Sequence, residues 1–366
     1  MISSPSHVVV VGGGALGCAT AFWLARAGVR VTLMEHDALG EHASGKNAGN
    51  LNPIFMSPPP LVPLALESLR LHKILADEMT PLLGGPRYFL EPVRRILLAF
   101  NDFELAEFEQ IKPLFEGRKD FSARNLDPQS LRALEPRLSE SVVGGLMIEG
   151  NFSINGHALT RALADGAAKS GTKILRAKVR GIKTISGHVA AVQTDNGDIS
   201  CDAVVFATGA WVAEIEKWLG ISLPVKAVKG QLLRMRLPGE GLRCDLTCGI
   251  NGLYRRNQTE IWVGGTQEHV GLDETPTDEA RQFLLNQSVR IVPEMAHAEL
   301  LEHTAALRPM TPSGLPIVGK ARAWSNVYIA NGGCNKGILL CTGIAQAMSD
   351  LILSGHTTTS LHLQNL

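Results

Sequence analysis

A chain of 366 residues is long enough for two domains and a sizeable core. Its 35 Lys and Arg balance its 35 Asp and Glu with no basic stripe or charge run, which argues against nucleic acid as a partner. Hydrophobic residues make up 45% and charged residues 19%, as in a soluble globular enzyme, and no apolar run nears the roughly 18 residues of a membrane span.

The first informative stretch is His7 to Glu35. Val8 to Val11 read as a short buried strand, Ala15 to Ala27 as a helix closed by Gly28, and Val29 to Met34 as a second strand ending at Glu35. Gly12-x-Gly14-x-x-Gly17 falls at the turn between strand and helix, the context that makes this fingerprint specific for a dinucleotide. Gly12 allows the sharp turn, Gly14 lets a pyrophosphate approach the backbone, and Gly17 lets helix and strand pack closely. The first helical N–H groups, at Ala15 and Leu16, and the positive end of the helix dipole face the phosphates. Glu35 is placed to accept from an adenosine ribose, which argues against a 2′-phosphate.

The small and amide-bearing residues Ser44, Asn47, Ala48, Gly49 and Asn50 follow in a loop able to lie along an extended ligand, or to be an ordinary surface loop. After the rigid Pro58-Pro59-Pro60 connector, Leu61 to Leu75 has helical apolar spacing. Tyr88 to Phe100 looks like strand, Phe103 to Phe115 helix, and Ser130 to Pro136 a short helix closed by proline. Asn155 to Gly171 reads as an amphipathic helix leading into strands at Lys173–Leu175 and Ala177–Ile182. Asp195-Asn196-Gly197 marks a hairpin turn, and Asp202 to Gly209 another buried strand, so the nucleotide domain resumes here. Leu223 to Thr266 is strand-rich, with turn signals at Pro238-Gly239, Asn251-Gly252 and Asn257-Gln258 that suggest an antiparallel sheet. Thr277 to Ile291 looks helical. Short motifs, a strand at Val327–Ala330, a glycine-rich loop and a last helix to about Leu353 complete the chain.

Six scattered cysteines form no CxxC pair, and no His or second pair joins Cys244 and Cys248, so no metal site is expected. They read as free buried thiols of a reducing compartment. The N-terminal apolar run lacks a basic flank and ends at once in glycines, so it reads as a core strand, not a signal peptide, and a cytoplasmic location is expected.

In this order, the ATGAW run at 207–211, the ALRPMTPSGLPIVG run at 306–319 and the NGGCNKGILL run at 331–340 resemble the FAD-dependent D-amino-acid oxidase family. That family contains glycine oxidase, monomeric sarcosine oxidase and bacterial amino-acid dehydrogenases, and the resemblance covers nearly the whole chain. It implies an α/β fold, α+β overall, in which a Rossmann-like FAD-binding domain is interleaved with an antiparallel-sheet substrate domain. Residues 1–80, 150–220 and 305–366 would form the first, and 81–149 and 221–304 the second. FAD would lie extended along Gly12, Gly14, Gly17 and Glu35, then along Ser44, Asn47, Ala48 and Gly49. Val179 would meet the adenine through its backbone, and Thr208-Gly209, with Trp211 beyond, would close over the phosphates. Gly332, Gly333, Asn335, Lys336, Gly337 and Ile338 would edge the flavin ring, where helix N–H groups stabilise negative charge on reduced flavin.

Arg308 matches the family's carboxylate clamp and Tyr254 a tyrosine that bonds the same carboxylate. Asn335, Lys336 and Gln267 are further candidates near the substrate. The sarcosine enzymes attach FAD through a cysteine, but Ala306 stands at that position here, so noncovalent FAD is expected. The second arginine of the glycine oxidase branch is Asn335 here. His269, His297 and His303 are read as structural.

The implied reaction is hydride transfer from Cα of glycine, a D-amino acid or an N-substituted amino acid to flavin N5. The imine then hydrolyses to an oxo acid. The acceptor of the electrons stays open between O2 and a quinone, flavin or partner subunit, as does oligomeric state. The rival of another class is a non-catalytic or electron-transferring FAD subunit of a heteromeric amino-acid or opine dehydrogenase, which the presence of Arg308 disfavours.

Overall fold

The computed structural model describes residues 5–359, so 1–4 and 360–366, the outer ends of the expected first domain, lie outside the described residues. His7–Val11 sits inside a six-stranded sheet, between Ala203–Phe206 and Arg30–Glu35. Lys173–Arg176 forms one edge, and Val327–Asn331 and Ile317–Lys320 complete the other side. All pairings are parallel except the last, which is antiparallel. A parallel sheet needs cover on both faces, which explains the unbroken valine run. Val8 and Val10 face a core shared with the helices Ala15–Arg26, Gly156–Lys169 and Gly337–Ser354, the last two packed on the first. Val9 and Val11 face a small three-stranded sheet, Val179–Ile185, His188–Thr194 and Gly197–Ser200.

The glycine turn is built as its composition demands. Gly12 has φ +110°, and a Cβ there would collide with the Ala207 carbonyl. A Cβ on Gly17 would collide with the Gly12 carbonyl, so this glycine sets the approach of helix to strand.

The second sheet has nine strands. Its order is Glu299–Met310, Lys226–Arg236, Glu260–Gly264, Asn251–Arg255, Asp245–Cys248, Leu90–Ala99, Gly144–Ile154 and Asn50–Leu51, with Ser122–Leu126 also paired to Gly144–Ile154. It is antiparallel apart from the parallel pair Asp245–Cys248 with Leu90–Ala99. Register places Arg95, Thr247, Tyr254, Gly264, Leu232, Gly230 and Arg308 on one face.

Four local expectations need correction. The turn expected at Asn251-Gly252 lies at Gly249-Ile250, where Gly249 takes φ +56°. Asn251 and Gly252 instead open the next strand, paired with Cys248 and Thr247. The helix expected to end at Leu75 runs from Val62 to Leu83, because Met79 and Leu83 continue its buried face until Gly84 closes it with φ +71°. The short motif expected at 306–310 is the end of a long strand, Glu299–Met310, which begins in four exposed residues, two of them leucines, and Gly144–Ile154, starting with two glycines, is a strand that the sequence reading did not mark. The helix region Cys334–Ser354 is long and apolar enough to cross a membrane, contrary to the reading that no such run exists, but 67% of that window is buried inside the protein as core.

Candidate active site

One cavity of about 1040 Å³ joins the glycine turn of the six-stranded sheet to the open face of the nine-stranded sheet. It exceeds the usual size of a small-molecule pocket, as an extended dinucleotide together with a substrate requires. Every candidate residue named from the sequence lines it except Gly17 and Gly332. Those two act in packing: Gly332 has φ +68°, and a Cβ there would stand 2.7 Å from Thr311 Cγ2.

At the nucleotide end, the Glu35 carboxylate accepts from the backbone N–H groups of Gly13 (2.6 Å), His36 (2.7 Å) and Asp37 (2.8 Å). These bonds fix it at the mouth of the strand and leave a carboxylate's remaining lone pair for a ribose hydroxyl. The first helical amide, Ala15 N–H, donates to Ser44 Oγ at 2.9 Å, so Ser44 ties the following loop to the helix start. Asn47 also turns inward: its Oδ1 accepts from Gly49 N–H at 2.7 Å and its Nδ2 donates to Ser44 O at 2.6 Å. The loop expected to present amides to a ligand therefore uses part of them to hold its own shape.

Among the buried polar atoms on the lining that have no partner in the described residues are Asn50 Oδ1, Thr208 Oγ1 and Asn331 Nδ2. Buried polar groups are rarely left so, and an apolar ligand would not satisfy them. Together with the glycine cradle they fit FAD, with Thr208 and Asn50 flanking the loop along which its linker would run.

A strap closes over this end. His42 Nδ1 lies 2.6 Å from Glu274 Oε2, and Nε2 lies 3.1 Å from Asp37 Oδ2. The His42 ring packs against Trp211 with centroids 4.5 Å apart. The Glu274 hydrogen bond raises the His42 pKa above 6.5 against the opposing effect of burial. Sequence reasoning missed this residue because Glu274, the partner that does most to raise its pKa, lies 232 positions away.

Between the two ends lies the start of the helix Gly337–Ser354, whose positive end and free N–H groups open on the cavity with Gly333, Asn335 and Ile338. Asn335 is exposed. Lys336 Nζ donates to the carbonyls of Asn52 (2.7 Å) and Phe55 (3.0 Å), fastening the 52–55 loop. Burial pushes its pKa down to about 7, with the Arg95 charge adding to the effect.

At the far end, Arg308 reaches across the sheet, its guanidinium filling the space where a Cβ on Gly230 would stand. Its Nη1 donates to Thr266 O at 2.7 Å. The Tyr254 ring occupies the matching space over Gly252. Burial raises the tyrosine pKa, so the hydroxyl stays a proton donor. Gln267 lies exposed on the cavity rim. His269, His297 and His303 lie off the lining. Arg95, unremarked in the sequence, lines this end too, with its guanidinium carbon 5.5 Å from the centre of the Tyr254 ring. Strand geometry puts it on the same face as buried Leu97 and Ala99, but the unbroken apolar run from Ile96 to Ala99 carries no alternation that would have marked that face in the sequence.

A parallel sheet with a dinucleotide cradle, opening on an arginine–tyrosine pair carried by a second sheet, defines a nucleotide-cofactor oxidoreductase. The chain belongs to the FAD dependent oxidoreductase family, whose pattern it matches over residues 7–351. It is similar to glycine oxidase of Pseudomonas aeruginosa, 31% identical over 94% of each chain. Glycine oxidase of Geobacillus kaustophilus is 30% identical over 97% of this chain and 94% of its own. The crystal structure of glycine oxidase from Geobacillus kaustophilus superposes with a TM-score of 0.92 at 28% identity, covering 99% of each chain.

Proposed function

We propose that this protein oxidises the amine of a small amino acid, glycine, a D-amino acid or an N-substituted amino acid, using noncovalent FAD. The observation that carries the reading is that Arg308 and Tyr254 face the same cavity as the dinucleotide cradle, from the opposite sheet. The glycine oxidase relatives support the amino-acid class.

Gly12, Gly14 and Glu35 would hold the ADP portion, Thr208 and Asn50 the linker, and the start of the Gly337–Ser354 helix the flavin's polar edge. Bound FAD supplies the acceptor for a hydride from the substrate Cα at N5, and the imine left behind hydrolyses to an oxo acid. Arg308 supplies a planar fork for the carboxylate, with its orientation held by the bond to Thr266 O. Tyr254 donates a further hydrogen bond from its buried hydroxyl. Held at these points, the substrate presents one face to the cofactor, and positioning supplies much of the rate.

The test is an α-deuterated substrate mixed anaerobically with the loaded enzyme. Flavin reduction slower than with the protiated substrate is expected. An equal rate under conditions where reduction follows binding would remove Cα–H cleavage from the reductive step.

A further inference from the structure

We propose that the preferred substrate carries a second acidic group, with Arg308 holding the α-carboxylate and Arg95 the other acid. This rests on the amino-acid reading above and narrows its substrate class.

The Arg95 side chain is 5% exposed, in a strand whose next residues, Ile96, Leu97 and Leu98, are apolar core. A buried guanidinium is costly unless it is fully paired. Arg95 is not. Its Nη2 lies 3.4 Å from Asp245 Oδ2, and its buried Nε has no partner. Asp245 is shared, because its Oδ1 also accepts from Arg255 N–H at 2.9 Å.

The charge balance around this end points the same way. Arg95 and Arg308 both line this end of the cavity. The nearby acids include Asp245, Glu268 and Glu274; Glu268 is already engaged by Lys229 at 3.5 Å and by Gln231 at 3.0 Å, and Glu274 by His42 at 2.6 Å. One substrate carboxylate on Arg308 would leave Arg95 without an adequate counter-charge.

The spacing suits two acids on one small molecule. Five strand steps separate Arg308 from Arg95 in the sheet, roughly 24 Å between backbones at about 4.8 Å per step. Each side chain reaches inward. Arg308 Nη2 comes within 3.1 Å of where a Gly265 Cβ would be, beyond the end of Glu260–Gly264. Arg95 lies over Tyr254, on the adjoining strand. The two heads are thus separated by about one to two strand steps, roughly 5–10 Å. A short chain bearing a carboxylate at each end spans that gap, whether the second acid sits on the amine nitrogen or on the α-carbon side chain.

The test uses the FAD-loaded full chain and ligands that cannot be oxidised, with binding read from perturbation of the flavin spectrum. Oxydiacetate against methoxyacetate probes an acid beyond the nitrogen position, and succinate against butyrate probes a side-chain acid. In at least one pair the dicarboxylate should bind at least about tenfold more tightly, the worth of a charge-assisted bond. Arg95→Gln should bring that ratio close to one, and Arg95→Lys should keep part of it. A general structural effect would weaken both members of a pair and leave the ratio intact. Should Arg95→Gln fail to fold with Asp245 unpaired, Arg95→Gln with Asp245→Asn restores neutrality and is read the same way. Wild-type ratios near one in both pairs overturn the proposal whatever the variants do. A ratio that survives the loss of Arg95 also overturns it. Because no turnover is involved, failure here is separate from failure of amino acids to reduce the flavin.

Discussion

Replacing Arg308 by alanine tests the clamp directly. A guanidinium has five N–H donors, and the structure assigns one of them to Thr266 O. The remaining fork can make two charge-assisted bonds to a carboxylate, each worth about 1.5–3 kcal/mol. Truncation removes both and leaves the carboxylate desolvated at the end of a buried cavity. A loss of about 3–5 kcal/mol is expected, or about 10²–10⁴ in the second-order rate constant for flavin reduction. The fold loses only the bond to Thr266 and the packing over Gly230, so FAD content and Tm should change little. Arg308→Lys should recover part of the rate, because an ammonium lacks the planar fork. The assay is anaerobic stopped-flow reduction, with an amine lacking the carboxylate as control. The control should be poor with wild type and lose little more in the variant. Equal losses for both substrates, or an Arg308→Ala protein stripped of FAD, would refute the clamp.

Three further outcomes follow from the cofactor end. Gly14→Val should yield protein without bound FAD, since its Cβ would stand 3.1 Å from Ser44 Oγ and the rest of the side chain needs space on the cradle; retention of a full complement of flavin would contradict this. Acid precipitation should release all flavin to the supernatant, because Ala306 offers no sulfur to bond it, and flavin left in the pellet would mean a covalent link elsewhere. His42 should make the strap pH-sensitive. Its pKa is raised in the fold, so the stabilisation is complete below about 6.5 and is lost as pH rises through the higher folded value. Thermal scans across that window should show a falling Tm that His42→Gln flattens; an unchanged slope in the variant would place the dependence on another group.

Much of the nucleotide end could be read from the chain because its signals are local. Strand, glycines, helix and acidic residue fall within His7 to Glu35, and each glycine's role follows from its lack of a Cβ. The nine-stranded sheet was harder. Gly144–Ile154 and Glu299–Met310 gain strand character from distant partners, so glycines and charged residues in them obscured the pattern. Asn251-Gly252 misled as a turn signal because Gly252 serves instead to admit the Tyr254 ring. Side-chain direction was the other blind spot. Composition identified Ser44 and Asn47 as polar loop residues, but only the folded chain shows their bonds to Ala15 and Gly49. Arg95 and Asp245 lie 150 positions apart, and no local pattern pairs them.

The central claim, that the Arg308–Tyr254 end of the cavity presents an amino acid to FAD, is tested most directly by anaerobic bleaching. Purified yellow protein is mixed without oxygen with a panel of glycine, D-amino acids, N-substituted amino acids and acidic members of each class. At least one should bleach the flavin absorbance stoichiometrically and yield one oxo acid per flavin. If dithionite bleaches the flavin but no amino acid in the panel does, the chain binds FAD without oxidising amino acids, and the account of this site is wrong.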